Sequence, residues 1–394
     1  MGTTPFGVAI TPDGTRAYVT NFIAPGGTVS VIDTATNTVV ATVPVGINPS
    51  GVAVTPDGKH AYVANEDIFP NNTVSVIDTA TNTVVATVLV GTQPIGIGIV
   101  PPPPPAYVTN TSSGTVSVVN PATNTVTATV MVGVKPEGVA VTPDGTQAYV
   151  ANAGSNNVSV VASANNTVAA TVPVGVEPKG VAVAPNGKHA YVTNSSDSTV
   201  SVIKTSANTV VATVGVGTNP FAVAFTPDGT HAYVTNSGSS NVSVIAGRTV
   251  VATVTVGLKP KEVAVTPDGL HAYVVNKGSN NVSVIATVTN RVATTVTVGI
   301  KPEGIAITPD GTQAYVANSS DGTVSVIDTS TNTAVGTPIT VGLTPVGVAF
   351  SLDGKHAYVA NEGSGEVSVI RTAKQKVVAT VAVGTNPFGI GIRP

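Results

Sequence analysis

Short apolar runs alternate with polar turn clusters along the whole chain, on a nearly fixed schedule. In one unit, Gly180-Val181-Ala182-Val183 is a continuous apolar run, the pattern of a strand covered on both faces. Pro185-Asn186-Gly187 follows and reverses the chain, because proline presets φ and Asn-Gly tolerates positive φ. Ala190-Tyr191-Val192-Thr193 predicts a second strand and Thr199-Val200-Ser201-Val202-Ile203 a third. In Val210-Val211-Ala212-Thr213-Val214, alternation brings polar residues onto one face and predicts a half-wet fourth strand. No stretch has a helical period.

The unit recurs from end to end. All nine tyrosines, Tyr18, Tyr62, Tyr107, Tyr149, Tyr191, Tyr233, Tyr273, Tyr315 and Tyr358, occupy the second strand, at intervals of 44, 45, 42, 42, 42, 40, 42 and 43 residues. Four antiparallel strands per repeat of about 42 residues match one blade of a β-propeller. The expectation is therefore an all-β fold, a single β-propeller of nine four-stranded antiparallel blades over residues 1–394. The inner-strand phrase occurs ten times, from Phe6-Gly7-Val8-Ala9-Ile10 to Phe388-Gly389-Ile390-Gly391-Ile392. Nine blades need nine, so one spare copy is expected at a terminus, displaced from the ring; an open, spiral array is the rival.

The phrase standing here as Tyr18-Val19-Thr20-Asn21, and again at Tyr191 to Asn194 and Tyr233 to Asn236, resembles the YVTN β-propeller family over essentially the whole chain. That resemblance implies the propeller fold, with family members that include surface-layer proteins and propellers attached to enzymes. Three departures stand out. Pro101 to Pro105 replace the third unit's first turn with residues that cannot donate ladder hydrogen bonds. The sixth unit shortens its outer turn to Ala246-Gly247-Arg248, and the first two units enlarge the loops at Phe22 to Gly27 and Glu66 to Asn72.

Composition narrows the function classes. Only 9% of residues are charged and the net charge is −3, with no basic field for nucleic acid. No apolar run approaches the roughly 18 residues of a membrane helix. Cysteine is absent, which removes disulfides and thiolate metal sites. The chain enters its first repeat with no basic-then-apolar leader, and its Ser/Thr/Asn-rich, lysine-poor loops point to a secreted or cell-surface location, a cytoplasmic one being the alternative. A monomer without a cofactor is expected.

Residues repeated in every blade read as scaffold. His60, His189, His231, His271 and His356 share one strand-start position, too widely separated around a ring to ligate one metal ion, so no metal site is expected. Asp13, Asp57, Asp144, Asp228, Asp268, Asp310 and Asp353 precede the turn glycine and read as turn formers rather than catalytic acids. The asparagines ending the second strands read likewise. Positions that differ between blades carry more information. The residue after the proline entering each inner strand varies: Phe6, Ser50, Ile95, Glu137, Lys179, Phe221, Lys261, Glu303 and Val346. With the enlarged-loop residues Phe22, Ile23, Ile68 and Phe69, these predict a channel mouth with an apolar arc and a mixed-charge arc. The candidate site comprises Phe6, Phe22, Ile23, Ile68, Phe69, Ile95, Glu137, Lys179, Phe221, Lys261 and Glu303. Two functions fit: a non-enzymatic structural or binding propeller taking a protein or polysaccharide partner at the mouth, or a lyase- or lactonase-type enzyme with a small-molecule site there, using Glu137, Glu177, Glu262 or Glu303.

Overall fold

The computed structural model describes residues 4–22, 26–66, 72–91, 94–97 and 104–392. They hold 36 strands and one 3₁₀ turn, Thr372–Lys374, with no α-helix among the described residues. The strands form nine four-stranded sheets, and every pairing is between antiparallel neighbours, so the expected blades are all present. Contacts group them into two compact units, Met1–Pro102 and Pro103–Pro394.

Within Pro103–Pro394 the fifth sheet shows the construction. Its strands run Pro178–Val183, His189–Asn194, Thr199–Lys204 and Thr209–Gly215, from innermost to outermost. Burial follows the predicted pattern: the two middle strands are almost wholly buried, while the outermost keeps its polar face wet. Neighbouring sheets pack face to face through Tyr149, Val158 and Val160 of one against Ala190, Val192 and Ile203 of the next. The inner strands are crowded. A Cβ on Gly180 would sit 2.5 Å from the carbonyl oxygen of Phe221 in the next blade. Thr193 ties the same two strands, its Oγ1 accepting from the Gly180 N–H at 2.8 Å and donating to the Phe221 carbonyl at 2.8 Å. Farther out, the Tyr149 hydroxyl donates to Asn208 Oδ1 of the next blade at 2.6 Å, and Asn208 itself turns the chain at φ 51°.

Seven inner strands pack in sequence, from Pro136–Val141 through Pro178–Val183, Pro220–Phe225, Pro260–Val265, Pro302–Ile307 and Pro345–Phe350 to Pro387–Ile392, which returns to pack on Pro136–Val141. The outer strands complete the same circuit, with Thr125–Met131 against Lys376–Ala382. Seven blades thus close into a ring around one channel.

The tenth inner-strand copy has a defined place in that ring. Pro387–Ile392 is the innermost strand of the third sheet, paired with Ala106–Asn110, which continues to Thr115–Asn120 and Thr125–Met131. In the third copy, the described residues 94–97 form no strand. The sequence expectation put the surplus copy at a terminus; here the terminal copy is used and an internal one is surplus.

The unit Met1–Pro102 holds the first two sheets, Pro5–Ile10 to Thr38–Pro44 and Pro49–Val54 to Thr83–Leu89. Tyr18, Val29 and Val31 pack against Ala61, Val63 and Ile77, the same joint seen between ring blades. The Tyr18 hydroxyl donates to Asn82 Oδ1 at 2.9 Å.

The residues read as scaffold behave as such. Asp228 accepts from Thr226 Oγ1 at 2.5 Å and from the Thr230 N–H at 3.0 Å, and these hydrogen bonds hold its carboxyl down at about 2. The strand-end asparagines do more than shape turns. Asn194 is fully buried, donates through Nδ2 to Thr199 and Ser201, and lies so close under Gly175 that a Cβ there would come within 2.6 Å of it.

Candidate functional site at the channel mouth

Each inner strand of the ring begins with one motif: a residue in the left-handed region, then proline, then the variable residue. Lys135, Glu177, Asn219, Lys259, Lys301, Thr344 and Asn386 hold φ between 50° and 58° and swing the chain inward. The strand register then slips just after the proline, as between Pro178 and Val181. Such an irregularity re-aims the intervening side chains. The variable residues consequently stand around one opening: Glu137, Lys179, Phe221, Lys261, Glu303, Val346 and Phe388.

Their contacts are specific. Lys179 Nζ lies 2.6 Å from Glu137 Oε1 and 3.0 Å from Glu177 Oε1. Burial alone would lower the Lys179 pKa, but the two carboxylates outweigh it and hold the ammonium charged. Glu137, almost fully buried, is pushed upward by burial in spite of that partner. Glu303 is equally buried and pairs with Lys277 in the turn that follows the neighbouring blade's second strand. Lys261 makes no ion pair among the described residues; its ammonium stands 3.8 Å from the centre of the Phe221 ring, and burial lowers its pKa. Phe221 and Phe388 belong to strands that are not neighbours in the ring, yet their ring centroids are 6.2 Å apart. The two side chains meet across the opening and partly roof it.

Beneath lies a cavity of about 120 Å³, with Val139, Val181, Val223, Ile305, Val348 and Ile390 in its lining. Glu262 enters the same lining. It occupies the inner-strand position that is glycine at Gly138, Gly180, Gly304, Gly347 and Gly389 and alanine at Ala222. At those glycines a Cβ would approach a neighbouring carbonyl oxygen to 2.2–2.5 Å, so a long side chain here is the exception in the ring. Burial pushes the Glu262 carboxyl up to about 7, against a hydrogen bond from the Val263 N–H that lowers it.

Of the expected site, Glu137, Lys179, Phe221, Lys261 and Glu303 are brought together. Phe6, Phe22 and Ile95 lie in the other unit: Phe6 and Phe22 contact each other at 5.9 Å between centroids, and Phe6 and Ile95 are exposed. Ile23, Ile68 and Phe69 fall outside the described residues. Three more residues belong to the opening, of which Phe388 was legible as a mouth phenylalanine and Glu262 as a candidate acid or base. Phe388 follows its inner-strand proline like the others, so its repeat position is the signal. Glu262 is marked by its departure from glycine, and only the folded ring shows Lys277 reaching Glu303.

Residues 99–193 match the model of the YNCE-like β-propeller and residues 174–334 that of the choice-of-anchor I domain. Both matches fall on repeats similar to those of YVTN-type β-propellers. No curated protein matches the chain. Among solved structures it is similar to Kuenenia stuttgartiensis hydrazine synthase, at 26% identity and a TM-score of 0.61 over 82% of this chain and 96% of that one. It is also similar to a functionally unknown protein from Desulfotomaculum acetoxidans, at 17% identity and a TM-score of 0.65 over 73% of this chain and 98% of that one. A putative 6-phosphogluconolactonase from Bacteroides uniformis aligns at 18% identity with a TM-score of 0.63, over 73% and 98% respectively. At those lower identities the likeness is one of fold. The repeats supply a constant frame, and chemical variety is concentrated where the inner strands begin.

Proposed function

We propose that the chain is a non-catalytic binding propeller that takes a protein or polysaccharide partner on the mouth face of its seven-blade ring. One observation carries this reading: a single repeat position, otherwise part of a uniform frame, presents glutamate, lysine, phenylalanine, lysine, glutamate, valine and phenylalanine around one opening. Unlike side chains converging on a rigid rim can recognise a partner, whereas the repeated groups elsewhere form turns and clasps. The half-buried Phe221 and Phe388 would supply the apolar anchor, and the Lys179 and Lys277 pairs the polar surround. Secretion or display at a cell surface accords with the lysine-poor, Ser/Thr/Asn-rich loops. The test is a glycan array and a two-hybrid screen with the whole chain, repeated with Phe221→Ala/Phe388→Ala. Loss of a specific hit in the double variant is expected; an unchanged hit removes the mouth from the account.

A second reading, a propeller enzyme of lyase or lactonase type, is favoured by Glu262, whose carboxyl titrates near neutrality and so suits proton transfer. Lactone hydrolysis at pH 7 by the wild type, abolished in Glu262→Gln, would support it. Equal rates in both would exclude Glu262 as the acid or base.

A further inference from the structure

We infer that the channel beneath the Phe221/Phe388 roof is a receptor for a small organic ammonium ion, anchored by the carboxylate of Glu262. This goes beyond the mouth-face reading, and the two can fail separately, since one concerns a macromolecule on the rim and the other a small cation below it.

Three observations converge. Glu262 is the one long polar side chain at a position where crowding otherwise selects glycine or alanine, and it lines the cavity without an ion pair among the described residues. A charged side chain set among valine and isoleucine walls is costly unless something compensates it. The cavity, about 120 Å³, suits a molecule of a few heavy atoms. Finally, the roof already holds an ammonium: Lys261 Nζ sits 3.8 Å from the Phe221 ring centre, the geometry in which aromatic faces attract cations.

The chemistry of the lining separates classes of cation. Calcium or magnesium needs about six oxygen ligands. The lining holds two carboxylates, Glu262 and the Lys277-paired Glu303, beside the ammonium of Lys179, which falls short of that. A weakly hydrated alkylammonium instead gains from the apolar walls, the aromatic roof and the Glu262 countercharge, unpaired among the described residues, together. Lys261 and Glu303 are the charged groups that act on Glu262. Lys261 repels a second cation and competes for the Phe221 face, so it should hold affinity down.

The experiment is isothermal titration calorimetry of the whole chain at pH 8 in phosphate buffer, with methylammonium and tetramethylammonium chloride as probes and sodium chloride as control. Saturable binding of at least one ammonium probe is expected, weakened at least tenfold in Glu262→Gln and tightened severalfold in Lys261→Met. Glu262→Gly restores the residue that most other ring blades carry, and it should also lose binding if the glutamine variant folds poorly. Absence of binding to the wild type overturns the inference. So does wild-type affinity retained in both Glu262 variants, or a response that sodium reproduces.

Discussion

Replacing Glu262 with glutamine should make the ring more stable at alkaline pH. The carboxyl is pushed from 4.5 in an unfolded chain to about 7 in the fold, because its ionised form loses part of its hydration in the channel. A folded pKa above the unfolded one means that folding favours the protonated group. That contribution is fully present below about pH 4.5 and is lost as pH rises through about 7. At about 1.36 kcal/mol per pH unit, the displacement corresponds to about 3 kcal/mol, an upper figure that channel water reduces. Glutamine keeps the shape and carries no charge, so the variant should match the wild type near pH 4.5 and exceed it at pH 8.5. For a ring of this size, 1 kcal/mol is roughly 2 °C in melting temperature, which gives a gain of at most about 6 °C. The assay is paired thermal unfolding of both proteins from pH 4.5 to 8.5, in buffers free of amines, which would themselves enter the channel. A melting-temperature difference that stays constant across this range would refute the reasoning.

Deleting residues 387–394 should strip the third sheet of its innermost strand and open the ring. Phe388, Ile390 and Ile392 are part-buried, and their loss with the ladder costs about 5 kcal/mol, seen as a collapse of the melting transition and rapid proteolysis. Lys179→Met leaves the buried Glu137 carboxylate without its cation and should destabilise by about 3 kcal/mol at pH 7, less near pH 4, when the carboxyl takes up a proton; urea titrations at the two pH values read this out. Gly347→Ala sets a Cβ 2.4 Å from the Phe388 carbonyl oxygen and should cost about 2 kcal/mol, whereas Gly215→Ala, with no atom within 4 Å of its Cβ, should cost well under 1 kcal/mol. Equal melting temperatures for the two glycine variants would refute the crowding argument.

The blade was legible because each of its strands carries a distinct local signal. Pro-Asn-Gly fixes the first hairpin, Tyr191 and its neighbours mark the buried second strand, and alternation marks the outer one. The rim was legible for the same reason: Glu137, Lys179, Phe221, Lys261 and Glu303 all follow an inner-strand proline. The grouping of blades was not legible, because it depends on a choice between two nearly identical strands for one partner. Ile95-Gly96-Ile97 and Phe388-Gly389-Ile390 are interchangeable as phrases, and the outcome turns on pairing with Ala106–Asn110 over a separation of about 280 residues. No local pattern encodes that. The contact between Phe221 and Phe388 was hidden likewise, since it exists only once the ring has closed across its own axis.

Closure by residues 387–392 also has a consequence in time. During synthesis, Ala106–Asn110 leaves the ribosome early and must wait, one edge unpaired, until nearly three hundred further residues have been translated. Any other nascent or misfolded copy offers an equivalent strand, so exchange between neighbouring polypeptides competes with self-closure throughout that interval. The yield of correctly closed molecules should therefore fall as expression is driven harder, even where the finished ring is robust.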